Sequence, residues 1–313
     1  MQKLILNTLV CPNCQSSLIE DEQYLNCKKC SQRYPVIDDN IIVFLTKKDL
    51  DNFSSDGAGA EYIVDDYGTF LTNETSLSQF NEIAQKEKAQ ARGEKIRGSL
   101  YEDDSLPESL SLALNKSRRI LAEKVDANRA KKILDCPTGP GSFLTDLLEV
   151  VLDDSVIFST DINFGRLIRT KEYLIDHPKP KNIVYVVGDA LRLPFRNNTF
   201  DAITSWGITD IPDQKTLIEE LADILKKGAK IGFSTDQYKE GSESIKIAEN
   251  LKIADIVTKK RIEELFKRVG LKNLEYAILW EGQDIDFDVP DEERCPLPAR
   301  GDYYQFIVAV AEK

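Results

Sequence analysis

The stretch that decides the fold is Ile133-Leu134-Asp135-Cys136-Pro137-Thr138-Gly139-Pro140-Gly141, in which an apolar strand runs into a turn that holds two glycines. A second apolar run ends at Asp161, twenty residues after Gly141. A strand, a glycine-bearing turn and an acidic residue at this distance are typical of a nucleotide-type cofactor bound on an open α/β sheet.

The chain beyond residue 131 alternates between strand-like and helix-like segments. Strands are predicted at 131–136, 155–160, 182–187, 200–206 and 229–234, and helices at 141–152, 163–176, 214–227 and 259–269. This alternation predicts a parallel sheet with helices on both faces. Residues 271–280 and 303–311 are both strand-like with no helix between them, which predicts a terminal antiparallel pair.

Composition narrows the class of protein. The chain has 313 residues, of which 42% are hydrophobic and 30% charged, which suits one α/β domain and a smaller unit. A net charge of −12 repels a phosphate backbone, so nucleic acid is a less favoured partner than a small molecule. No apolar run is long enough to predict a membrane span, and no signal-peptide pattern is found. We therefore expect a cytoplasmic, reducing location, where six cysteines do not form a disulfide framework.

Three parts are predicted along the chain. Residues 1–48 bear cysteines and short strands, residues 49–115 form a linker and a helical lid, and residues 116–313 form the cofactor domain. Aromatic residues of the second part either line an acceptor pocket or pack the segment onto the domain; they are Tyr62, Tyr67, Phe70 and Phe80.

The turn favours one cofactor class over another. Glycines lack a Cβ and let the backbone approach a ligand, which we expect of Gly139 and Gly141, with the following helix presenting its N–H groups. A dinucleotide site wants glycine or alanine three residues after the second glycine, where this chain has Leu144. Asp135 would repel a pyrophosphate but attract a sulfonium and an α-ammonium. The sequence thus favours S-adenosylmethionine over a dinucleotide.

Further cofactor contacts are predicted at the ends of the next strands. Asp161 is placed to accept hydrogen bonds from both ribose hydroxyls, and Asp189 to accept one from the adenine amino group. Any one of these acids alone could be a helix cap or a turn residue. Three at the ends of successive strands favour one ligand site at one sheet edge. The other predicted contacts are Cys136, Pro137, Ile162, Ala190, Leu191, Ser205 and Trp206. Trp206 could equally be a core residue, and for Cys136 a small buried thiol is the preferred interpretation.

Residues 116–313 resemble the class I S-adenosylmethionine-dependent methyltransferases, especially the branch that contains the ubiquinone and menaquinone methylases. The resemblance rests on the motifs at 134–141, 160–163, 188–195, 200–203 and 225–229. It implies a Rossmann-like, seven-stranded, mostly parallel sheet whose last strand is antiparallel. The family usually has glycine at the position of Pro137, and often at that of Ala229. Since Pro137 removes one N–H from the turn, it either weakens cofactor binding or pre-sets the turn.

Four cysteines form a separate pattern near the start of the chain. Cys11-Pro12-Asn13-Cys14 and Cys27-Lys28-Lys29-Cys30 are two C-x-x-C pairs with twelve residues between them. Four thiolates complete a closed tetrahedral zinc site with no open position for a reacting water, so the predicted zinc is structural. Disulfides conflict with a reducing compartment, and a redox motif would need only one pair, on a helix after a strand.

The cysteine segment, called the ribbon below (residues 1–48), continues through Tyr34-Pro35-Val36-Ile37 to Ile41-Ile42-Val43-Phe44. It resembles the small zinc-ribbon proteins that activate several tRNA, rRNA and protein methyltransferases. The resemblance implies a role in docking against the catalytic domain or in shaping substrate entry. A segment this small has too little core to be stable alone, which is why a metal helps.

Methyl transfer from a sulfonium needs alignment of donor and acceptor more than a fixed nucleophile. An oxygen or nitrogen acceptor must lose a proton, and a nearby base helps. The loop 205–213 is expected to face the methyl group, with Asp210 as the candidate base or simply a turn residue. This loop lacks the Asn/Asp-Pro-Pro-Tyr/Phe signature of many amino methyltransferases, which disfavours adenine and glutamine substrates.

The leading functional hypothesis is a methyltransferase acting on a small molecule or a quinone-like lipid precursor. A second hypothesis is an rRNA or tRNA methyltransferase whose ribbon contacts the nucleic acid. A third is a catalytically silent cofactor fold that serves as a scaffold, suggested by Pro137.

Overall fold

The computed structural model describes residues 3–38, 40–45, 77–93, 108–179, 182–206, 208–283 and 296–313. The predicted linker, Tyr62, Tyr67, Phe70, the side chain of Phe80 and the acidic loop 284–293 lie outside the described residues. The borders predicted between the three parts of the chain therefore stay predictions.

The first part of the chain contains short elements and then two long helices. These are α1 (Lys3–Thr8), β1 (Leu18–Asp21), β2 (Tyr24–Cys27), β3 (Arg33–Ile37), β4 (Ile41–Val43), α2 (Leu77–Gly93) and α3 (Glu108–Lys124). Residues 76–97 and 108–128 are also helix-like in the sequence, and the structure has one helix within each of these ranges, with slightly shorter spans.

Strands and helices alternate through the rest of the chain. They are β5 (Lys132–Asp135), α4 (Ser142–Val150), β6 (Val156–Asp161), α5 (Phe164–Tyr173), β7 (Ile183–Val187), β8 (Phe200–Ser205), α6 (Gln214–Ile224), β9 (Leu225–Tyr238), α7 (Glu243–Asn250), α8 (Lys259–Arg268), β10 (Lys272–Gln283) and β11 (Tyr303–Glu312). Two 3₁₀ turns, Ala127–Arg129 and Ile208–Asp210, precede β5 and follow β8. Among the described helices none is both long and apolar enough to cross a membrane.

The strands form one sheet in the order β1-β2-β3-β4-β7-β6-β5-β8-β9-β11-β10. Strands β5 to β9 run parallel, and β11 lies antiparallel between β9 and β10. The predicted Rossmann-like arrangement with an antiparallel last strand is thus confirmed. The seven strands predicted for the cofactor domain are β5 to β11, and within the described residues the ribbon extends this sheet to 11 strands by adding four. The junction is a parallel pairing of β4 with β7, in which Ile42 lies opposite Val186.

The ribbon covers one face of the sheet that the methyltransferase-like part leaves without a helix. Residues 188–199, which cross from β7 to β8, contain no helix to cover that face of the sheet. The ribbon covers it with apolar side chains such as Tyr34 and Phe44, which belong to the same buried cluster as Phe195. Phe195 is 1% exposed and makes edge-to-face contacts with Phe158 and Phe200. The two parts therefore share one hydrophobic core.

Backbone and polar contacts fix the ribbon to the crossover. The Val10 N–H donates to the Pro194 carbonyl at 2.9 Å, and the Arg196 N–H donates to the Thr8 carbonyl at 3.1 Å. The Arg196 guanidinium also donates to the Asn7 carbonyl and to Ser17 Oγ, both at 2.9 Å. This short antiparallel contact aligns the ribbon along the 194–196 segment.

Helix α2 packs against α5 through a buried ion pair. Glu87 is 2% exposed, and its Oε2 lies 2.7 Å from the Nε of Arg169. Asp38, at the end of β3, lies 2.7 Å from the Lys88 ammonium and 2.6 Å from that of Lys171. The ribbon, α2 and α5 thus meet at one carboxylate, whose pKa the two lysines hold below its usual range against the effect of burial.

Candidate functional site

The predicted cofactor residues lie at one edge of the sheet, where the parallel strands end. Asp135 and Asp161 are the last residues of β5 and β6, and Asp189 comes two residues after β7. The pairing places Asp135 opposite Ser159 and Asp161 opposite Val187, so the three carboxylates follow one another across neighbouring strands. This is the edge at which open α/β sheets bind ligands.

Asp135 is the most deeply buried of the three, at 1% exposure. Thr204 Oγ1 donates to its Oδ1 at 3.1 Å, while its Oδ2 is buried without a hydrogen-bond partner. Burial raises the pKa of this carboxyl to about 7, against the lowering effect of hydrogen bonds from Thr138 and Thr204. A buried carboxylate oxygen without a partner is costly unless something binds it, so this atom fits a cationic or hydrogen-bond-donating ligand group.

The Asp161 carboxylate lies at the sheet edge and also accepts hydrogen bonds that hold the glycine-bearing turn. The Gly139 N–H donates to its Oδ2 at 2.8 Å, and the Asn163 N–H donates to its Oδ1 at 2.9 Å. Burial raises the pKa of this carboxyl above its ordinary value. Each carboxylate oxygen has a second lone pair, so both can still accept from a diol. The hydrogen bond from Gly139 to Asp161 could not be predicted from the sequence, because it joins residues that are 22 positions apart.

Glycine is favoured for different structural reasons at the two glycine positions of the turn. Both have positive φ, +58° at Gly139 and +82° at Gly141. A Cβ on Gly139 would meet nothing within 4 Å, so this residue borders open space. A Cβ on Gly141 would overlap Thr170 Cγ2, so glycine is required here for packing against α5. The N–H groups of Thr138, Gly139 and Gly141 are all bonded within the protein, at 2.7, 2.8 and 3.3 Å respectively.

Alanine at Gly141 is expected to disrupt the turn far more than alanine at Gly139. The Gly141→Ala methyl overlaps Thr170, whereas the Gly139→Ala variant suffers only the left-handed backbone penalty of roughly 1–2 kcal/mol. We expect the first change to lower stability by about 3 kcal/mol or more in urea unfolding. Adding Thr170→Ala, which removes a buried hydroxyl without a partner, should recover part of the loss. Equal losses for the two glycine variants would contradict this interpretation.

The remaining predicted contacts surround the carboxylates. Asp189 is half-buried and accepts from the Leu191 N–H at 2.9 Å, and burial raises its pKa. Cys136 is 1% exposed, and burial raises the pKa of its thiol to about 12, so it stays a neutral thiol. Pro137, Ile162, Ala190 and Leu191 are half-buried along the same edge.

The end of β8 brings in residues from helix α3. Ser205 is fully buried, and its Oγ has no hydrogen-bond partner. The half-buried Trp206 donates from Nε1 to Ser117 Oγ at 2.8 Å, and the Arg118 guanidinium lies 5.7 Å from its ring centroid. The roles of Ser117, Arg118 and Thr204 were not foreseen, since nothing in their local pattern points to this edge. Asp210 closes the 3₁₀ turn after β8, and its side chain lies outside the described residues.

A second site is formed by the four predicted zinc ligands, Cys11, Cys14, Cys27 and Cys30. Their sulfur atoms all lie within 4.8 Å of one another, and the described cysteines are free thiols. The Cys11–Cys30 and Cys14–Cys27 sulfurs are 3.6 and 3.4 Å apart. Tetrahedral zinc with bonds of about 2.3 Å separates its sulfurs by about 3.8 Å, so the cluster fits this ion.

The surroundings of the cysteine cluster also suit a thiolate-bound metal. The buried Tyr34 hydroxyl lies 3.1 Å from Cys11 Sγ, and the Lys29 and Cys30 N–H groups donate to Cys27 Sγ at 3.4 and 3.5 Å. Such outer contacts orient ligands and stabilise their charge. The closed set of four sulfurs makes this a structural and not a catalytic site.

Comparisons with known proteins find a match for each of the two parts of the chain that hold these sites. Residues 85–237 match the ubiE/COQ5 methyltransferase family, and residues 2–39 match the Trm112p-like proteins. The ubiquinone/menaquinone biosynthesis C-methyltransferase UbiE of Haemophilus ducreyi is 26% identical over 161 residues, 51% of this chain and 62% of that protein. The demethylmenaquinone methyltransferase of Streptomyces avermitilis is 34% identical over 115 residues, 36% of this chain and 46% of that protein. The chain thus spans less than two thirds of the length of these relatives.

A solved structure shows the same fold. It is a Galdieria sulphuraria protein inferred to be a sarcosine dimethylglycine methyltransferase, with a TM-score of 0.50, 18% identity, and coverage of 74% of this chain and 98% of that one. The resemblances read from the motifs are therefore confirmed. This chain thus joins a segment that matches the Trm112p-like proteins and holds the four-cysteine cluster to a segment that matches the ubiE/COQ5 methyltransferase family.

Proposed function

We propose that the protein is an S-adenosylmethionine-dependent methyltransferase that acts on a small-molecule acceptor of the quinone-precursor type. The observation that carries the proposal is the carboxylate edge of Asp135, Asp161 and Asp189, with one buried oxygen of Asp135 left without a partner. A phosphate-bearing cofactor would be repelled by these groups, while a cationic methyl donor would be attracted.

Each residue of the carboxylate edge would bind a different part of the methyl donor. Asp161 would bind the ribose hydroxyls, Asp189 would bind the adenine amino group, and Asp135 would face the positive end of the molecule. When bound, the donor supplies an electrophilic methyl group on a sulfonium. Gly139 borders the open space this requires, and Trp206 lies at the end of β8, where it donates a hydrogen bond to Ser117 of α3.

The acceptor class is supported by the family match and by the charge of the chain. The similar UbiE and demethylmenaquinone methyltransferase sequences carry names that refer to quinone precursors. A net charge of −12 does not favour a nucleic-acid acceptor. The ribbon would then act as a structural part of the fold, and cytoplasmic location stays a prediction.

Two measurements test this proposal. Calorimetric titration with S-adenosylmethionine and S-adenosylhomocysteine should show one site, and failure of both to bind would support the scaffold hypothesis. Transfer of a tritiated methyl group to cell extract, split into small-molecule, lipid, RNA and protein fractions, should label the first two. Labelling confined to RNA would overturn the acceptor class and leave the enzyme class intact.

Binding of the methyl donor is expected to strengthen as the pH rises through about 7. Because the pKa of Asp135 is raised to about 7, the carboxyl is largely protonated at lower pH, and a cation selects its ionised form. The affinity should rise about 25-fold between about pH 5.5 and pH 7.5. Asp135→Asn removes the titrating group, so titration calorimetry should give a flatter profile for this variant. Parallel profiles for both proteins would show that Asp135 does not face the donor.

A further inference from the structure

Strand β9 extends beyond the edge at which its neighbour β8 ends. The pairing of β8 with β9 ends at Ser205 opposite Phe233, while β9 continues to Tyr238. Its last five residues, about 16 Å of strand, pair only with β11 on their other side. This overhang therefore extends past the sheet edge at which β8 ends.

One carboxylate lies in the overhang, on the face covered by α3. Asp236 is opposite Phe306, and Phe306 packs against Leu110 and Ala113 of α3. Opposite residues of a strand pair share a face, so Asp236 faces the α3 side. Ser234, two residues earlier on the same face, donates to the Trp206 carbonyl at 2.8 Å. Asp236 therefore lies about one strand repeat beyond Trp206, since two residues span about 6.6 Å.

Trp206 separates two carboxylates along this face. On one side, Asp135 is opposite Thr204, two residues before Trp206, and belongs to the cofactor edge. On the other side, Asp236 belongs to the strands that stand beyond that edge. The first is fully buried, and the second is half-buried. The more accessible carboxylate is thus on the side away from the cofactor turn.

Asp236 has hydrogen-bond partners within its own strand and aromatic neighbours on the same face. The Tyr238 hydroxyl donates to Asp236 Oδ2 at 3.3 Å. The Asp236 backbone carbonyl accepts from Thr235 Oγ1 and Gln237 Nε2 at 3.2 and 3.1 Å. Across the sheet on the same face lie Phe306 and then Trp280. Apolar rings beside one held carboxylate suit a flat acceptor that carries an acidic hydroxyl.

We propose that Asp236 is a catalytic residue that binds the acceptor and takes its proton. This inference rests on the proposed methyltransferase function. The acceptor X–H bond breaks as the S–CH₃ bond breaks and the X–CH₃ bond forms. The methyl group goes to X, the sulfonium takes the S–CH₃ electron pair and becomes a thioether, and the proton goes to the Asp236 carboxylate.

The test compares Asp236→Asn with the wild-type protein in two measurements. Calorimetry measures the affinity for S-adenosylmethionine, which should change less than twofold. Tritium transfer to 1,4-naphthalenediol under anaerobic conditions measures kcat and KM for the acceptor. We expect kcat to fall about 100-fold or more, in the range attributed to general bases. Glu240→Gln, which removes an exposed carboxylate at the end of the same strand region, should leave both quantities unchanged.

Asp236→Glu keeps the carboxylate and should recover at least a tenth of the lost rate, which a purely structural role would not require. The two tryptophans of the chain lie at positions 206 and 280, so quenching of their emission by 1,4-naphthoquinone reports on this region. Quenching of the tryptophan emission should persist in the Asp236→Asn variant. In each protein it should weaken as the 1,4-naphthoquinone concentration is lowered.

Two results would overturn the role of Asp236 while leaving the methyltransferase function intact. One is a kcat for Asp236→Asn within threefold of wild type. The other is a more than tenfold loss of S-adenosylmethionine affinity, which would assign Asp236 to the cofactor site. Absence of transfer by the wild-type protein to any acceptor fraction would instead overturn the proposed function. If Asp236→Asn does not fold, Tyr238→Phe decides: a tenfold loss of kcat supports the role, and an unchanged kcat overturns it.

Discussion

Replacing Cys27 by serine is expected to destabilise the whole chain and not the ribbon alone. Cys27 is 4% exposed and contributes both a metal-ligand sulfur and a member of the shared core cluster. Structural zinc contributes on the order of 10 kcal/mol to folding in small zinc domains, which is comparable to the total stability of a typical protein. We expect the melting midpoint to fall by about 10 °C or more, since each kcal/mol shifts it by about 2–4 °C. Calorimetric melting with zinc analysis of the purified protein measures both effects.

The matched control is Cys136→Ala, because Cys136 is a buried thiol outside the metal cluster. This variant should keep its zinc and lose only about 1 kcal/mol. Chelation of the wild-type protein should reproduce the Cys27→Ser result in one cooperative transition, since the ribbon and the sheet share a core. A metal-free protein whose melting midpoint stays within about 2 °C of the metal-bound one would show that the two parts are energetically independent.

The Asp161→Ala substitution is expected to abolish binding of the methyl donor at millimolar concentration or reduce it by about 100-fold or more. It removes the acceptor for the ribose hydroxyls, and it leaves the Gly139 and Asn163 N–H groups without their present partner. Each hydrogen bond to a charged group contributes roughly 1.5–3 kcal/mol, and about 3 kcal/mol corresponds to roughly 100-fold in affinity. Titration calorimetry with S-adenosylhomocysteine measures the loss.

Asp153→Ala provides the control for this change, because its side chain is 94% exposed and lies away from the carboxylate edge. It removes the same charge and should leave binding unchanged. Thermal melting distinguishes a local loss of the site from global unfolding. Retention of wild-type affinity by a folded Asp161→Ala protein would exclude the assigned ribose contact.

The parts of the fold that depend on local pattern were predictable. Strands β5 to β8 follow from short apolar runs, and the first three of these lead into Asp135, Asp161 and Asp189. The helix predicted at 163–176 is Phe164–Tyr173 in the structure. The four zinc ligands follow from spacing alone. In each case the deciding residues are neighbours in the sequence, so no distant contact is needed to interpret them.

The features that depend on distant contacts were not predictable. Strand β4 has three residues, too few to indicate a partner, and it pairs with β7 about 140 positions later. Strand β9 was expected at 229–234 but spans Leu225–Tyr238, because pairing with β11 overrides the polar residues near its end. The short helix α7 was not predicted, since its periodicity covers only eight residues. The contact that requires glycine at position 141 depends on Thr170, which no local signal singles out.

The pairing of β4 with β7 has a consequence for synthesis on the ribosome. Ile41 emerges 144 residues before its partner Tyr185, so at about 5–20 residues per second the apolar edge waits roughly 7–30 s for its neighbour. During that interval the nascent chain presents an unpaired strand, the kind of surface on which two growing chains associate. Early capture of zinc would keep that edge compact until translation delivers the strand that covers it.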